Sequence, residues 1–533
     1  MTEPTTGGTT VGTYNAASWL VDRHVADDGA GRTALRCEGR STSYGELQQE
    51  VWRVQHALTG LGVGAGGRVA LVMVDDEALV AWFLGALRSG VVPVPLSTML
   101  TGADLGAIVA DAGATAAVVS APFAGHVDEI TRAAPDVTNV VIVGDEPSPG
   151  RGPGGGGGPV VHPWSSFDDR SEASVADTDA DSPAFWLYSS GTTGTPKGVM
   201  HRHASLQATA DHYARGVLEV GPGDRFHSIA KLFFAYGLGN SLTFPLSVGA
   251  TSILNPNPPT PAAVAALVAA EHPTLLFASP GFVAGLLDAE VAPETFASVR
   301  TTVTAGESLP ADLHRRYSER FGHPVLDGIG TTEALHIFLS NTKGATRAGT
   351  SGTPATGYEV RLLDENDAEV TDADTAGFLH VRGPSIATGY WRRPEATDAA
   401  FRDGWLRTGD VYTRSADGYW TFLGRNNDMI KAGGIWVSPA EVEAVLVAHP
   451  DVLEAAVVGG RDDEGLETTV AYVVARAGRT IDEGALERHC RERMAAFKRP
   501  RRLVVVDELP KTATGKIQRY VLRARESDHV GSR

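Results

Sequence analysis

The sequence predicts an α/β fold in which a large N-terminal domain of several subdomains, built on mostly parallel sheets, precedes a small mobile α+β domain. Three observations predict it. Apolar strand-like runs alternate with helically spaced runs through the first half of the chain. Near Gly424 the pattern changes to shorter helix and strand segments, which places a boundary between residues 1–424 and 425–533. The 533 residues allow roughly three compact units at about 150 residues each.

The first twelve residues, Met1 to Gly12, are small and polar and read as a frayed tail. Val69 to Val74 is a buried strand, Asp76 to Ser89 has helical apolar spacing and Val91 to Pro95 is the next strand, together a βαβ unit. The alternation recurs at Ala116 to Val119, at Val140 to Val143, and from Thr251 through Phe277 with a helix Pro261 to Glu271 between strands. Pro147 to Pro159, with consecutive glycines from Gly154 to Gly158, reads as a mobile surface loop. In the second domain Ala440 to His449 and Ile481 to Ala496 are expected as helices, and Leu453 to Val458, Thr468 to Val474 and Leu503 to Val506 as strands.

Composition narrows the function. Hydrophobic residues make up 42% and charged residues 21%, which suits large buried cores. A net charge of −18 speaks against a nucleic-acid partner but not against small anions, which a nest of amides and a few lysines can hold. Cys37 and Cys490 are the two cysteines, so neither a disulfide framework nor a thiolate metal cluster is expected. With no signal peptide and no apolar run near 20 residues, the expected location is cytoplasmic, with no membrane association.

Two glycine-rich segments compete for a nucleotide. Gly62 to Gly67 satisfies GxGxxG, but it follows a helix and precedes a strand, the reverse of a dinucleotide loop, and reads as a helix-ending turn. Leu187-Tyr188-Ser189-Ser190-Gly191-Thr192-Thr193-Gly194-Thr195-Pro196-Lys197-Gly198 is richer. Its glycines let backbone amides approach an anion, its hydroxyls donate to phosphate oxygens, and Lys197 adds a point charge. Pro196 breaks the Walker spacing. Further on, Thr332-Glu333 pairs a hydroxyl with a hard carboxylate suited to Mg²⁺, and Asp410 closes a Thr-Gly-Asp turn able to accept from two hydroxyls.

That string resembles the nucleotide loop of the adenylate-forming superfamily of acyl-CoA synthetases, adenylation domains and luciferases. Further matches follow in order: Gly306-Glu307-Ser308-Leu309-Pro310, Gly330-Thr331-Thr332-Glu333, Trp405 to Asp410, Gly424 to Lys431 and Pro510 to Lys516, so that the likeness runs from Ser43-Tyr44 to Lys516. The resemblance implies ATP at Ser189, Ser190, Gly191, Thr192, Thr193, Gly194 and Lys197, adenine near Asp327 and the Gly306-Glu307-Ser308 backbone, and ribose at Asp410 and Arg425. It implies catalytic roles for Thr332, Glu333 and Lys516, with Mg²⁺ at Glu333. The Lys516 ammonium would neutralise charge shared by the acid and the α-phosphate, a contact of about 4 kcal/mol at about 4 Å and an effective dielectric near 20.

Lys231 to Asn240, Asp327 to Asn341 and Lys431 to Pro439 are similar to the benzoate-coenzyme A ligases. By that likeness Ala235, Tyr236, Ala305, Gly328, Gly330, His336 and Ile337 wall a slot for a flat aryl acid, Ala and Gly leaving room and Tyr236 and Ile337 supplying faces. His336 would donate to the carboxylate while partly protonated, its ordinary pKa being near 6.5. Lys431, Gly433, Gly434 and Trp436 would line a thiol tunnel. Asn427 takes the hinge position, where relatives commonly carry Asp or Lys. Ala334 is small enough to make a substituted ring conceivable.

The implied reaction is adenylation of benzoate or a related acid by ATP, then transfer to coenzyme A. The phosphopantetheine thiol of an acyl carrier protein is the alternative acceptor, and a non-catalytic acyl or nucleotide sensor is the alternative of another class. Ring substituents and oligomeric state, monomer or homodimer, stay open.

Overall fold

A computed structural model describes residues 13–144, 158–190, 196–289, 291–432, 435–461, 467–511 and 517–531, with backbone only at 190, 431–436, 467 and 527–531. The tail Met1 to Gly12 and nearly all of the glycine-rich loop lie outside the described residues.

The first βαβ unit forms as its pattern demands. Asp76 accepts from the amide of Leu79 at 3.0 Å and caps the helix Glu77–Arg88, and Arg88 closes its last turn. That helix buries Trp82, Phe83 and Leu84 and crosses the helix Tyr44–Gly60 so closely that a Cβ on Gly85 would stand 2.5 Å from Val54. Overpacking of this kind costs about 1–3 kcal/mol, so the crossing requires glycine. The strands order themselves as Val92–Pro95, Arg68–Val72, Ala116–Ser120, Asn139–Val143 and Val160–Pro163 in one parallel sheet. Gly62 and Gly66, at φ 73° and 76°, make the turn from the first helix into this sheet, as read from the order of elements.

A second, nine-stranded sheet runs Thr353–Pro354, Ile337–Ser340, Val325–Gly330, Thr301–Thr304, Leu275–Ala278, Arg225–Ser228, Thr251–Leu254, Thr33–Cys37, Arg40–Ser43. Its seven-strand interior from Thr33–Cys37 to Ile337–Ser340 is parallel except for the antiparallel pairing of Ile337–Ser340 with Val325–Gly330. Continuous apolar strands such as Leu275–Ala278 are buried throughout, the mark of a sheet covered on both faces.

A third sheet was not legible in the alternation of runs. Glu359–Leu363, Gly377–Arg382, Trp405–Arg414, Phe401–Arg402 and Trp420–Arg425 pair antiparallel, with charged residues interleaved along each strand. After Arg425 the chain enters another sheet, in which Val452–Arg461 pairs antiparallel with Glu467–Ala475, itself parallel to Arg502–Val505. The helices Pro439–Val447, Glu483–Arg493 and Arg519–Gly531 accompany it. The helix expected over Ile481 to Ala496 is shorter at both ends: Asp482 caps it through the Ala485 amide, and Met494 is already extended.

Candidate active site

The two ends of the hydroxyl-rich segment lie on the paired strands Pro183–Ser190 and Pro196–Arg202, in which Ser189 pairs with Lys197 and Ser190 with Pro196. Gly191, Thr192, Thr193 and Gly194 lie outside the described residues. The short strand Gly389–Tyr390 pairs with Val199 and Met200, so Tyr390 is delivered beside this strand pair. The Lys197 ammonium stands 5.1 Å from the centroid of the Tyr390 ring. The Tyr390 hydroxyl donates to Glu333 Oε1 at 2.9 Å, and burial, followed by the Glu333 charge, pushes the phenol pKa well above its ordinary value.

Thr332 and Glu333 sit on the turn joining Val325–Gly330 to Ile337–Ser340. Several bonds hold this turn. Thr331 Oγ1 accepts from the Ala334 amide at 3.0 Å, and the Thr332 carbonyl accepts from the Leu335 amide at 3.1 Å and from His201 Nε2 at 2.8 Å. Outside it, the Ala387 amide donates to the Glu333 carbonyl at 2.8 Å and Ser385 Oγ to the Ala334 carbonyl at 2.6 Å. Leu335 is thereby kept at φ 66°, a left-handed conformation that costs a bulky residue about 1–3 kcal/mol. His201, stacked on Phe185 and pushed by burial down to about 4, is neutral, so its Nε2 carries the proton it donates.

Asp410 and Arg425 face each other across the pairing of Trp405–Arg414 with Trp420–Arg425, Arg425 Nε lying 3.0 Å from Asp410 Oδ1. Arg425 is also anchored to the Thr408 carbonyl at 2.9 Å, while Asp410 is 2% exposed. Gly306, at φ 93°, begins the loop after Thr301–Thr304, with Gly306 and Ser308 exposed. Glu307 reaches electrostatically toward Arg519 of the last helix and helps raise its pKa. Asp327 is 5% exposed; its Oδ1 accepts from Thr304 Oγ1 at 2.8 Å and its carboxylate also accepts from the Leu309 amide, so it ties the Gly306 loop to its strand.

The aryl-slot candidates do converge. Ala235, Ala305, His336 and Ile337 are buried, and the Tyr236 ring lies 5.5 Å from that of His336. The Tyr236 hydroxyl donates to the Val303 carbonyl at 3.0 Å, and its ring meets Phe277 edge-on. His336 corrects the sequence reading. Burial among Tyr213, Tyr236 and Phe244 pushes its imidazole down to about 3, so it is neutral rather than partly protonated, and its Nε2 is engaged with Asn240 Oδ1 at 3.1 Å. A Cβ on Gly328 would meet the Leu339 carbonyl at 2.7 Å and one on Gly330 the His336 carbonyl at 2.4 Å, so the close hairpin itself requires both glycines. Ala334 is fully buried, in the core cluster that also holds Ala305 and Ile337.

Lys431 pairs with Trp436 in a two-stranded ribbon, whose side chains are not described; Gly433, Gly434 and Lys516 lie outside the described residues. Asn427 is in a helical turn, its carbonyl accepting from Arg523 at 3.4 Å. Among the described residues no cluster of three His, Cys, Asp or Glu could hold a metal on protein ligands alone. A single carboxylate with a neighbouring hydroxyl, as at Glu333 and Thr332, fits a cation that takes its remaining ligands from phosphate and water. No helix among the described residues is long and apolar enough to cross a membrane.

Sequence reasoning missed Tyr390, His201 and Asn240. Asn240 lay inside a quoted run, and Tyr390 in the Gly389-Tyr390-Trp391 string, but nothing local to either marks its partner.

Residues 21–391 match the AMP-binding enzyme family and residues 441–516 the AMP-binding enzyme C-terminal domain. The chain is 43% identical over 523 residues to a benzoate–CoA ligase of Thauera aromatica, covering 96% of each. Among solved structures, a benzoate CoA ligase from Burkholderia xenovorans LB400 superposes with a TM-score of 0.85 at 41% identity, over 96% of this chain and all of that one (100%). The anthranilate CoA ligase AuaEII, in complex with anthranoyl-AMP, gives 0.92 at 35% identity over 97% of this chain and 98% of that one. By sequence, by fold and by the ordered segments assembled around Glu333, this chain belongs to the AMP-binding enzyme family, on the branch of the benzoate–CoA ligases.

Proposed function

We propose that this protein is an AMP-forming ligase that activates benzoate, or a closely related aryl carboxylic acid, with ATP and passes the acyl group to the thiol of coenzyme A. One observation carries the reading: a single hairpin bears Thr332, Glu333 and His336 on its turn and Gly328 and Ile337 on its legs, so groups suited to triphosphate and to aryl acid are neighbours along one short chain segment. The names of the relatives, benzoate and anthranilate CoA ligases, support the acid class and the acceptor. A carrier-protein acceptor and a non-catalytic sensor are not favoured.

In the first half-reaction a carboxylate oxygen attacks the α-phosphorus, forming the acyl–phosphate bond and expelling pyrophosphate. The amides and hydroxyls of 189–194 and Lys197 would hold the phosphates, Thr332 an α-phosphate oxygen, and Asp410 with Arg425 the ribose. Asp327 would act on the adenine side through the Gly306–Ser308 loop that it ties down. Mg²⁺, carried by Glu333 and the phosphates, would offset charge on the leaving group. Tyr236, Ala235, Ala305 and Ile337 would grip the ring, and neutral His336, its one N–H spent on Asn240, would back Tyr236 as part of the same wall. Residues 425–533 would then turn about Asn427, withdrawing Lys516 and presenting Lys431, Gly433, Gly434 and Trp436 to the pantetheine arm. The thiolate attacks the acyl carbon, the bond to the phosphate oxygen breaks and AMP leaves.

A panel of aryl and aliphatic acids scored for pyrophosphate release, with mass detection of products made with coenzyme A or a holo carrier protein, tests this. Benzoyl-CoA and AMP are expected; release with aliphatic acids alone, or acylation of the carrier alone, contradicts it.

A further inference from the structure

A buried acid outside the site described so far grips the aryl wall from a different sheet. Asp75 lies in the loop after Arg68–Val72, on the five-stranded parallel sheet, and is 4% exposed. Both of its carboxylate oxygens face one amide of the acyl-side segment, that of Leu232, at 3.2 and 3.0 Å. The preceding residue, Lys231, sends its ammonium to the carbonyls of Asn255 and Asn257, at 2.5 and 2.9 Å, on the loop that follows Thr251–Leu254. One segment is thus held on one side by the first sheet and on the other by the second.

The segment is stiff between this grip and the slot. The Phe234 amide donates to the Lys231 carbonyl at 3.0 Å and the Leu238 amide to the Phe234 carbonyl at 2.8 Å. A Cβ on Gly237 would stand 2.0 Å from the Lys231 oxygen, so the turn is wound as tightly as a backbone allows. Ala235 and Tyr236 are carried on that turn, and Tyr236 ends at the Val303 carbonyl. A shift of Leu232 therefore reaches Tyr236 with little slack.

We infer that Asp75 and Lys231 are positioning residues for the aryl acid: acting through Leu232, they set where Ala235 and Tyr236 stand and so set acid affinity and ring selectivity. This rests on the aryl-slot reading above. A buried carboxylate is costly to keep, and burial raises this one to about 7, with the Lys231 ammonium the largest influence opposing the rise. Asp75 lies far along the chain from every phosphate-facing candidate, and both of its carboxylate oxygens accept from the acyl-side segment.

The test is steady-state kinetics of the full-length wild type, Asp75→Asn and Lys231→Met with benzoate, 4-hydroxybenzoate and ATP, alongside thermal unfolding of each. Asp75→Asn keeps the shape and one acceptor, which favours a folded variant. For each variant the expected result is a KM for benzoate raised roughly 5- to 10-fold, a benzoate to 4-hydroxybenzoate selectivity ratio at least about twofold lower, and a KM for ATP within about twofold of wild type. An unchanged benzoate KM and ratio in either folded variant overturns the inference, as do benzoate and ATP KM values that rise together. A wild type that releases no pyrophosphate with benzoate would instead sink the function proposed above, whatever the variants do.

Discussion

The Tyr390 hydroxyl donates to Glu333 Oε1 at 2.9 Å while the Lys197 ammonium sits 5.1 Å from the same ring's centroid. One aromatic side chain thus links the Lys197 cation on the Pro196–Arg202 strand to the carboxylate on the Thr332 turn. With Oε1 engaged, the carboxylate is oriented and the other oxygen is left to face a cation. A hydrogen bond to a charged acceptor contributes about 1.5–3 kcal/mol, more than a neutral pair.

Tyr390→Phe keeps the ring beside Lys197 and removes the bond to Glu333. Benzoate-dependent pyrophosphate release is expected to fall about 10- to 100-fold, with a higher Mg²⁺ concentration needed for half-maximal rate and the KM for benzoate nearly unchanged. Wild-type Mg²⁺ dependence in this variant would remove Tyr390 from the account.

Stability should rise with pH between about pH 4 and 6.5. His201, His203, His227 and His323 are pushed by burial down to about 4 and His336 to about 3, against 6.5 when unfolded. Their contribution is complete above the unfolded value and is lost as pH falls through the folded values, because the unfolded chain then binds protons that the folded chain refuses. Asp75 and Asp327, raised by burial to about 7, and Asp76, raised to about 6, act in the opposite sense and lose their contribution as pH rises toward those values. Five downward shifts outweigh three upward ones of similar size. Thermal midpoints measured across this range should climb; a midpoint that declines from pH 4 to 6.5 would contradict the buried neutral state of these imidazoles.

Tyr236→Ala removes a ring packed against Phe277 and His336 and a hydroxyl bound to Val303. Truncating a buried aromatic costs about 3–5 kcal/mol of stability. In the protein that remains folded, the KM for benzoate is expected to rise at least about tenfold while that for ATP holds. Intact benzoate kinetics would take Tyr236 out of the slot.

Much of the parallel architecture was legible because buried parallel strands are nearly continuous apolar runs, as in Val69 to Val72 and Leu275 to Ala278. The antiparallel sheet between Glu359 and Arg425 was not, since its strands mix Arg361, Arg382 and Arg407 with apolar residues. The ordered motifs marked Glu333, Tyr236 and His336, but a motif says nothing of surroundings: His336 reads as a titrating imidazole until Tyr213, Tyr236 and Phe244 are seen to enclose it. His201 illustrates the remaining gap. Its partner, the Thr332 carbonyl, lies 131 residues away, and a single histidine within a strand carries no sign of it. Nor does Leu335 announce a left-handed backbone, because the bonds that impose it come from Thr331, Ser385 and Ala387.

In the proposed reaction the late lysine, Lys516, serves acid activation and not thioester formation. The most direct measurement is Lys516→Ala assayed twice, for benzoate-dependent pyrophosphate release from ATP and for benzoyl-CoA formation from supplied benzoyl-adenylate. The account predicts a loss of about 10²- to 10³-fold in the first and a rate near wild type in the second. Full pyrophosphate release, or equal loss in both assays, would contradict it.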